Sequence, residues 1–109
     1  EGYRQLLDMA HQHHIRVVGV TLVPLRGADE YGLDNFYTSE KEAIRQEVNE
    51  WIRTSDEFDA LIDTEQLVRD SQNPQQLALI YDSGDHLHLN HAGHLLVANS
   101  ISFDTVIGV

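Results

Sequence analysis

The chain has 109 residues, enough for one small domain with a modest core. Its formal net charge is −11, with 18 acidic side chains against 7 Lys and Arg, so nucleic acid and anionic membrane surfaces are unfavourable partners. Cysteine is absent, which excludes disulfides, thiolate metal sites and cysteine nucleophiles. No apolar run reaches the length needed to span a bilayer.

The start of the chain predicts a helix followed by a strand. Apolar residues recur at helical spacing over residues 3–14. The β-branched, almost continuous apolar run at 15–23 then predicts a parallel strand buried on both faces, which Pro24 ends. A helix followed directly by such a strand is half of an α/β crossover unit.

A loop over residues 24–38 separates this strand from the next helix. Its aromatic side chains fit either the border of a substrate cleft or surface packing. The helix is predicted from Ser39 to about Arg53, because Ser39 and Glu42 have the spacing of a capping box. Its apolar residues share one face and are expected to pack in the core: Ile44, Val48, Trp51 and Ile52.

The second half predicts one more strand and one more long helix. Residues 58–63 read as the strand, and Asn73–Pro74 could open a single helical turn. Asn90 can cap the last helix, whose inward-facing residues are expected to be Ala92, Leu95, Leu96 and Ile101. The predicted order is α-β-α-β-α. Two strands make a marginal sheet, so both are expected to need further neighbours.

Residues 81–93 carry the chemistry of this sequence. Asp85 precedes His88 by three residues, just before the predicted last helix. At this spacing the carboxylate can fold back and accept a hydrogen bond from one imidazole nitrogen, leaving the other nitrogen free to take a proton from a nucleophile. The bare spacing is a weak signal, and a loop carboxylate paired with a loop histidine is the plain structural alternative.

The longer segment YDSGDHLHLNHAG resembles the C-terminal block of SGNH, or GDSL-type, ester hydrolases. Many bacterial members read Tyr-Asp-Ser-Gly-Asp-x-Leu-His-Pro-Asn-x-x-Gly before their last helix. The likeness continues upstream through RVVGVTLVPLRGADEY, EAIRQEVNEWIRTSDEFDALID and NPQQLALIYDSGD, and so covers almost the whole chain. Leu89 replaces the family's proline and His91 replaces a common Asp, and both changes leave Asp85 and His88 available.

The resemblance implies that His88 is the catalytic base and that Asp85 orients it. It implies a C-terminal half of a flavodoxin-like three-layer α/β/α parallel sheet. In the family, a Gly-Asp-Ser motif on the first strand supplies the nucleophile, and a glycine and an asparagine from other loops complete the oxyanion hole. Neither a Gly-Asp-Ser nor a Gly-x-Asn-Asp sequence occurs here, and the chain begins with Glu1. Residues 1–109 are therefore expected to form a single partial domain, inactive alone.

Two functional hypotheses stay open. The first is the C-terminal part of a serine ester hydrolase, completed by a missing N-terminal half and acting on a small ester. The second is a non-catalytic α/β module that oligomerises, with a histidine-rich loop at 86–94 able to bind metal. No cysteine or fixed second ligand pair supports a physiological metal site, so no metal ligand and no cofactor is assigned.

Self-association as a homodimer is also expected, because the edge and the apolar faces of strand 15–23 would lack partners. The family resemblance favours a secreted or periplasmic location, although a cysteine-free chain also fits the cytosol.

Overall fold

The structure, a computed structural model, describes residues 1–31 and 34–108 as an α/β arrangement. Gly32 and Leu33, inside the predicted loop, and Val109, at the end of the predicted domain, lie outside these residues. The elements are α1 Gly2–Gln12, β1 Val18–Val20, a first 3₁₀ helix Ala28–Tyr31, α2 Ser39–Thr54, β2 Ala60–Ile62, α3 Thr64–Val68, a second 3₁₀ helix Leu79–Tyr81, α4 His91–Ser100 and α5 Phe103–Ile107. None of the described helices is both long and apolar enough to cross a membrane.

The strands β1 and β2 pair in parallel, as the sequence predicts, with Gly19 opposite Leu61. Both are shorter than the predicted runs at 15–23 and 58–63. Within the described residues β1 pairs with β2 along one edge and with no strand along the other. The strand is not buried on both faces within the described residues, because Val20 is 46% exposed.

A side-chain amide ends the ladder at the carboxyl end of β1. The backbone N–H of Thr21 still donates to the carbonyl of Ile62, at 3.2 Å. At Leu22, however, the amide of Asn49 on α2 takes both backbone groups, with the N–H donating to Oδ1 at 2.7 Å and the carbonyl accepting from Nδ2 at 2.8 Å. The predicted strand stops here because its backbone is already paired with a helix.

The buried face of α2 is polar, which corrects the apolar face predicted for it. Arg45 donates from Nε and Nη2 to Glu42, at 2.9 and 2.6 Å, and from Nη1 to Glu65 on α3. All three residues are buried, as is Asn49, whose Nδ2 donates to Glu65 at 2.9 Å. Ile44, predicted to lie in the core, is 59% exposed.

The aromatic contacts of α2 lie to one side of this network. Trp51 is half-buried, stacked on Tyr3 of α1 at a centroid distance of 6.0 Å and edge-on to Phe58 at 5.4 Å. Phe58 also covers β1 at Gly19, where a Cβ atom would lie 2.8 Å from its Cγ. Glycine at this position therefore allows the ring to approach the strand.

The segment between β2 and the last long helix differs from the prediction. The described structure has a turn, not a helical turn, at Asn73–Pro74, where the Asp70 carboxylate accepts from the backbone N–H groups of the second and third following residues. The helix lies earlier, at α3, where the Asp63 side chain accepts from the backbone N–H of Gln66. The signal for α3 was an N-cap aspartate directly after the strand.

Asn90 caps α4, as predicted, by accepting a hydrogen bond from the backbone N–H of Gly93 at 2.9 Å. Gly93 is buried against the second 3₁₀ helix, since a Cβ atom there would lie 3.0 Å from the carbonyl oxygen of Tyr81. Of the residues expected to face inward, Leu96 is half-buried. The other three are exposed: Ala92, Leu95 and Ile101.

The N-cap of α2 gives a test of this fold. It is Thr38, one residue before the predicted Ser39, and its side-chain oxygen accepts from the backbone N–H of Lys41 at 3.2 Å. We expect Thr38→Ala to lower the free energy of unfolding by about 1 kcal/mol. The matched control Ser39→Ala should change it by less than about 0.5 kcal/mol. Urea denaturation measures both, and a larger loss for Ser39→Ala would contradict the observed cap.

Candidate active site

The turn at residues 82–89 joins the second 3₁₀ helix to α4. Asp82 and Leu89, at its two ends, form an antiparallel bridge. Inside it, the backbone N–H of Ser83 donates to the carbonyl of His88 at 3.0 Å. The two arms of this turn therefore hold each other in place, and the side chains between them project from a fixed backbone.

Asp85 and His88 form a hydrogen-bonded pair in this turn. Nδ1 of His88 lies 2.6 Å from Oδ2 of Asp85. Oδ1 of Asp85 accepts from the backbone N–H groups of Leu87 and His88, at 2.9 and 2.8 Å, and from the hydroxyl of Ser83 at 2.9 Å. The side chain of His88 is 72% exposed, and no hydrogen bond to its Nε2 is formed within residues 1–31 and 34–108.

The four hydrogen bonds decide the charge of Asp85. The bond from the His88 ring, followed by the backbone N–H groups of His88 and Leu87, holds the pKa of this carboxyl well below its usual range. Asp85 is therefore an ionised carboxylate at neutral pH. Such a group accepts the Nδ1–H proton, so the neutral ring presents Nε2 as a base.

A second histidine–aspartate pair, which the sequence did not predict, lies in the same turn. Nδ1 of His86 is 2.5 Å from Oδ2 of Asp82, whose side chain is only 4% exposed. Oδ1 of Asp82 accepts from the backbone N–H groups of Gly84 and His86, at 2.8 and 3.0 Å. The available signal was Asp82 standing four residues before His86, in a histidine-rich segment that also suggests metal binding.

His86 packs against the loop that follows β1. Its ring covers Gly27, where a Cβ atom would lie 3.1 Å from His86 Cδ2. Gly27 has a φ of 95° and His86 a φ of 61°, so both backbones adopt the left-handed region. The contact brings the 82–89 turn to the loop at the carboxyl end of β1. Ligand sites of α/β folds occur at this end of the sheet.

The same contact borders a cleft of about 510 Å³, called here the His86 cleft. Its walls come from the loop after β1, the segment before α2, the turn after Asp70 and the 82–89 turn. Six of its lining residues carry polar side chains: Arg26, Asp29, Tyr37, Asn73, Gln76 and His86. Of the two alternatives for the aromatic loop, Tyr37 fits the border of a cleft, and burial raises the pKa of its phenol.

Comparison with known proteins identifies the family of this chain. The family model of the GDSL-like Lipase/Acylhydrolase family matches residues 1–96. The chain belongs to this family. No curated protein matches it. The match contains both histidine–aspartate pairs and the loops around the His86 cleft, and membership indicates an acylhydrolase-type function for this GDSL-like domain.

The histidines of the GDSL-like domain do not gather around one point. In the part of the chain that the structure describes, no group of three or more His, Asp and Glu side chains is arranged to hold a metal ion. His86 and His88 are each paired with a separate carboxylate, while His91 and His94 are exposed on α4. The described geometry is therefore that of two separate histidine–aspartate pairs.

The ionisation of Asp85 can be tested in this GDSL-like domain by ¹³C NMR of its carboxyl carbon during an acid titration. We expect Asp85 to stay ionised below the ordinary value of about 3.9. His88→Ala should raise the pKa of Asp85, because it removes the largest stabilising hydrogen bond. Ser83→Ala should raise it less, because the Ser83 hydroxyl contributes least.

The same titration fixes the direction of the pH effect on stability. A carboxyl whose pKa is depressed by folding stabilises the folded state above its unfolded pKa, near 3.9, and this contribution is lost as the pH falls through the folded pKa. Titration of Asp85 at the ordinary value, or a larger shift from Ser83→Ala than from His88→Ala, would contradict the hydrogen-bond pattern.

Proposed function

We propose that this chain supplies the acid–base part of the catalytic triad of a serine ester hydrolase, with His88 as the base and Asp85 as the residue that orients it. The observation that carries the proposal is the 2.6 Å contact between His88 Nδ1 and Asp85 Oδ2 in a member of an acylhydrolase family. An ionised partner on Nδ1 leaves Nε2 to exchange protons with a nucleophile.

In the proposed reaction a serine hydroxyl attacks the carbonyl carbon of an ester while its proton passes to His88 Nε2. The tetrahedral intermediate collapses, the C–O bond to the alcohol breaks, and the alcohol oxygen takes the proton from Nε2. Water then attacks the acyl-serine, again giving its proton to His88, and the carboxylic acid leaves as the serine regains a proton. Asp85 stays ionised throughout and stabilises the imidazolium.

The nucleophile is proposed to come from a segment outside residues 1–109, since these contain no Gly-Asp-Ser motif. We propose that this segment extends the β1–β2 pair into a flavodoxin-like three-layer sheet by pairing with the free edge of β1. A groove along β1, flanked by α1 and α2, supports this position. Its lining is mainly apolar and aromatic: Tyr3, Val18, Gly19, Val20, Leu22, Val48, Trp51, Ile52 and Phe58.

The second candidate function is self-association. The chain would then be a non-catalytic α/β module, or a second copy would take the place of the proposed additional segment at β1. The observation that favours it is the amount of apolar surface left open. Large apolar side chains more than half exposed occur on α1, after it and near the end of the chain: Leu6, Met9, Ile15, Phe103 and Val106. Exposed apolar surface favours association, because contact with another chain removes it from water.

Ester hydrolysis tests the first candidate. We expect the chain alone to cleave 4-nitrophenyl acetate no faster than its His88→Ala variant, because imidazole side chains alone react slowly. Mixed with an N-terminal segment of a family member that carries Gly-Asp-Ser, the chain should turn over, and His88→Ala should lower kcat at least about 10³-fold.

The matched control is His91→Ala, since His91 is exposed at the start of α4 just beyond the turn. Its mixture should keep the activity. The proposal fails if the mixture keeps its activity with His88→Ala. It also fails if the unmixed chain turns over many times and loses this activity with His88→Ala, because a nucleophile would then exist within residues 1–109.

Sedimentation velocity over a dilution series tests the second candidate. We expect a homodimer that dissociates on dilution, joined through the free edge of β1. Val20→Asp should shift the equilibrium toward monomer, because a charge on this strand opposes pairing. Ile80→Asp, at an exposed aliphatic residue on the second 3₁₀ helix, should not. A compact monomer at high concentration, or equal effects of the two variants, would contradict this interface.

A further inference from the structure

The His86 cleft is lined by hydrogen-bonding groups for which a hydrocarbon ligand would offer no partners. Within the described residues, the side chains of Asp29, Tyr37, Asn73 and Gln76 form no hydrogen bond with the protein. Arg26 donates from Nη1 to the side-chain oxygen of Gln75, at 3.1 Å. Its other side-chain N–H groups form no hydrogen bond within the described residues. Donors and acceptors are therefore present on several walls of the cleft at once.

This inventory selects against a long acyl chain. Removing polar groups from water without replacing their hydrogen bonds costs roughly 1–3 kcal/mol for each group. A hydroxyl both donates and accepts, so a ligand with several hydroxyls replaces the lost water at amide, carboxylate and guanidinium alike. The chemistry of the walls thus matches a hydroxyl-rich ligand.

The charges at the cleft indicate which hydroxyl-rich ligands it favours. Among the described lining residues, Arg26 and Asp29 carry opposite charges, so neither sign predominates there. The chain carries a net charge of −11, which repels an anionic ligand on approach. A neutral ligand meets neither obstacle. The cleft volume of about 510 Å³ lies within the range of small-molecule sites.

One wall of the cleft is fixed before any ligand arrives. The buried Asp82 carboxylate holds the His86 ring by Nδ1 and its backbone by the N–H group. Gly27 supports the ring from the other side, with no Cβ to displace it. Rigid walls lower the conformational cost of binding. His86 also belongs to the 82–89 turn, which carries His88, so a ligand in the cleft contacts the turn that holds the proposed base.

We infer that the His86 cleft binds a neutral, polyhydroxylated portion of the substrate, as an acylated sugar would present, with His86 as a specificity-determining residue. That this ligand is part of a substrate rests on the proposed function. That it binds depends only on the cleft. Hydrolysis of acylated sugars would then be favoured over hydrolysis of long-chain lipid esters.

The test is a titration of the intact ¹⁵N-labelled chain with cellobiose, a neutral disaccharide, followed by amide NMR. We expect saturable shifts with a Kd of about 1–10 mM, confined to residues 26–29, 37, 73–77 and 84–88. Glucose 6-phosphate and hexanol serve as anionic and apolar probes and should shift these amides at least about fivefold less at equal concentration. Absence of saturation with cellobiose, or stronger shifts from either other probe, overturns the inference.

Two variants locate the binding. Gln76→Leu removes an amide from the cleft at similar size and should weaken cellobiose binding at least about fivefold. The matched control Gln72→Leu alters an exposed glutamine outside the lining and should leave binding unchanged. His86→Asn removes the ring while keeping a residue that tolerates positive φ, and should also weaken binding.

Equal Kd values for Gln76→Leu, His86→Asn and the unaltered chain would place the sugar elsewhere and overturn the inference. The readout is independent of hydrolysis. Sugar binding without complementation would therefore refute only the triad proposal, and complementation without sugar binding would refute only the cleft.

Discussion

The arrangement of α2, β1 and α3 depends on the buried ion pair between Arg45 and Glu65. Burial acts to raise the pKa of Glu65, but hydrogen bonds from Arg53 and Arg45 outweigh it and keep the carboxylate ionised. Asn49 joins the pair to the end of β1 by holding both backbone groups of Leu22. Losing one partner of a buried pair costs about 3–5 kcal/mol, a large part of the stability of a small domain.

A backbone hydrogen bond connects α3, which carries Glu65, to the segment that leads into the candidate site. Val68, at the end of α3, is fully buried, and its carbonyl accepts from the N–H of Ala78 at 2.9 Å. Leu77, the neighbour of Ala78, is 2% exposed and closes the small apolar core beside this bond. The second 3₁₀ helix follows directly and leads into the 82–89 turn. The polar network thus positions the cleft wall at 73–77 and the turn relative to β1.

The sequence predicted the features whose partners are close along the chain. The Asp85–His88 spacing and the cap at Asn90 each depend on residues within three positions, and both contacts occur. The buried face of α2 was missed because Arg45 meets Glu65 twenty residues later, whereas the apolar residues of the helix indicated a different face. The Asp82–His86 pair is also local, but it was not predicted because the histidines of this segment also suggested metal binding.

Local and distant partners also distinguish the two parts of the proposed site, the Asp85–His88 pair and the edge of β1. All four hydrogen bonds to Asp85 come from residues 83–88, so the geometry of the acid–base pair requires no contact with another segment. The edge of β1 that is open within the described residues, and the apolar groove beside it, have the opposite character, because partners for them would come from another segment. Under the triad proposal, a chain of this kind holds His88 oriented before the nucleophile arrives. Assembly at β1 then supplies the serine without having to organise His88.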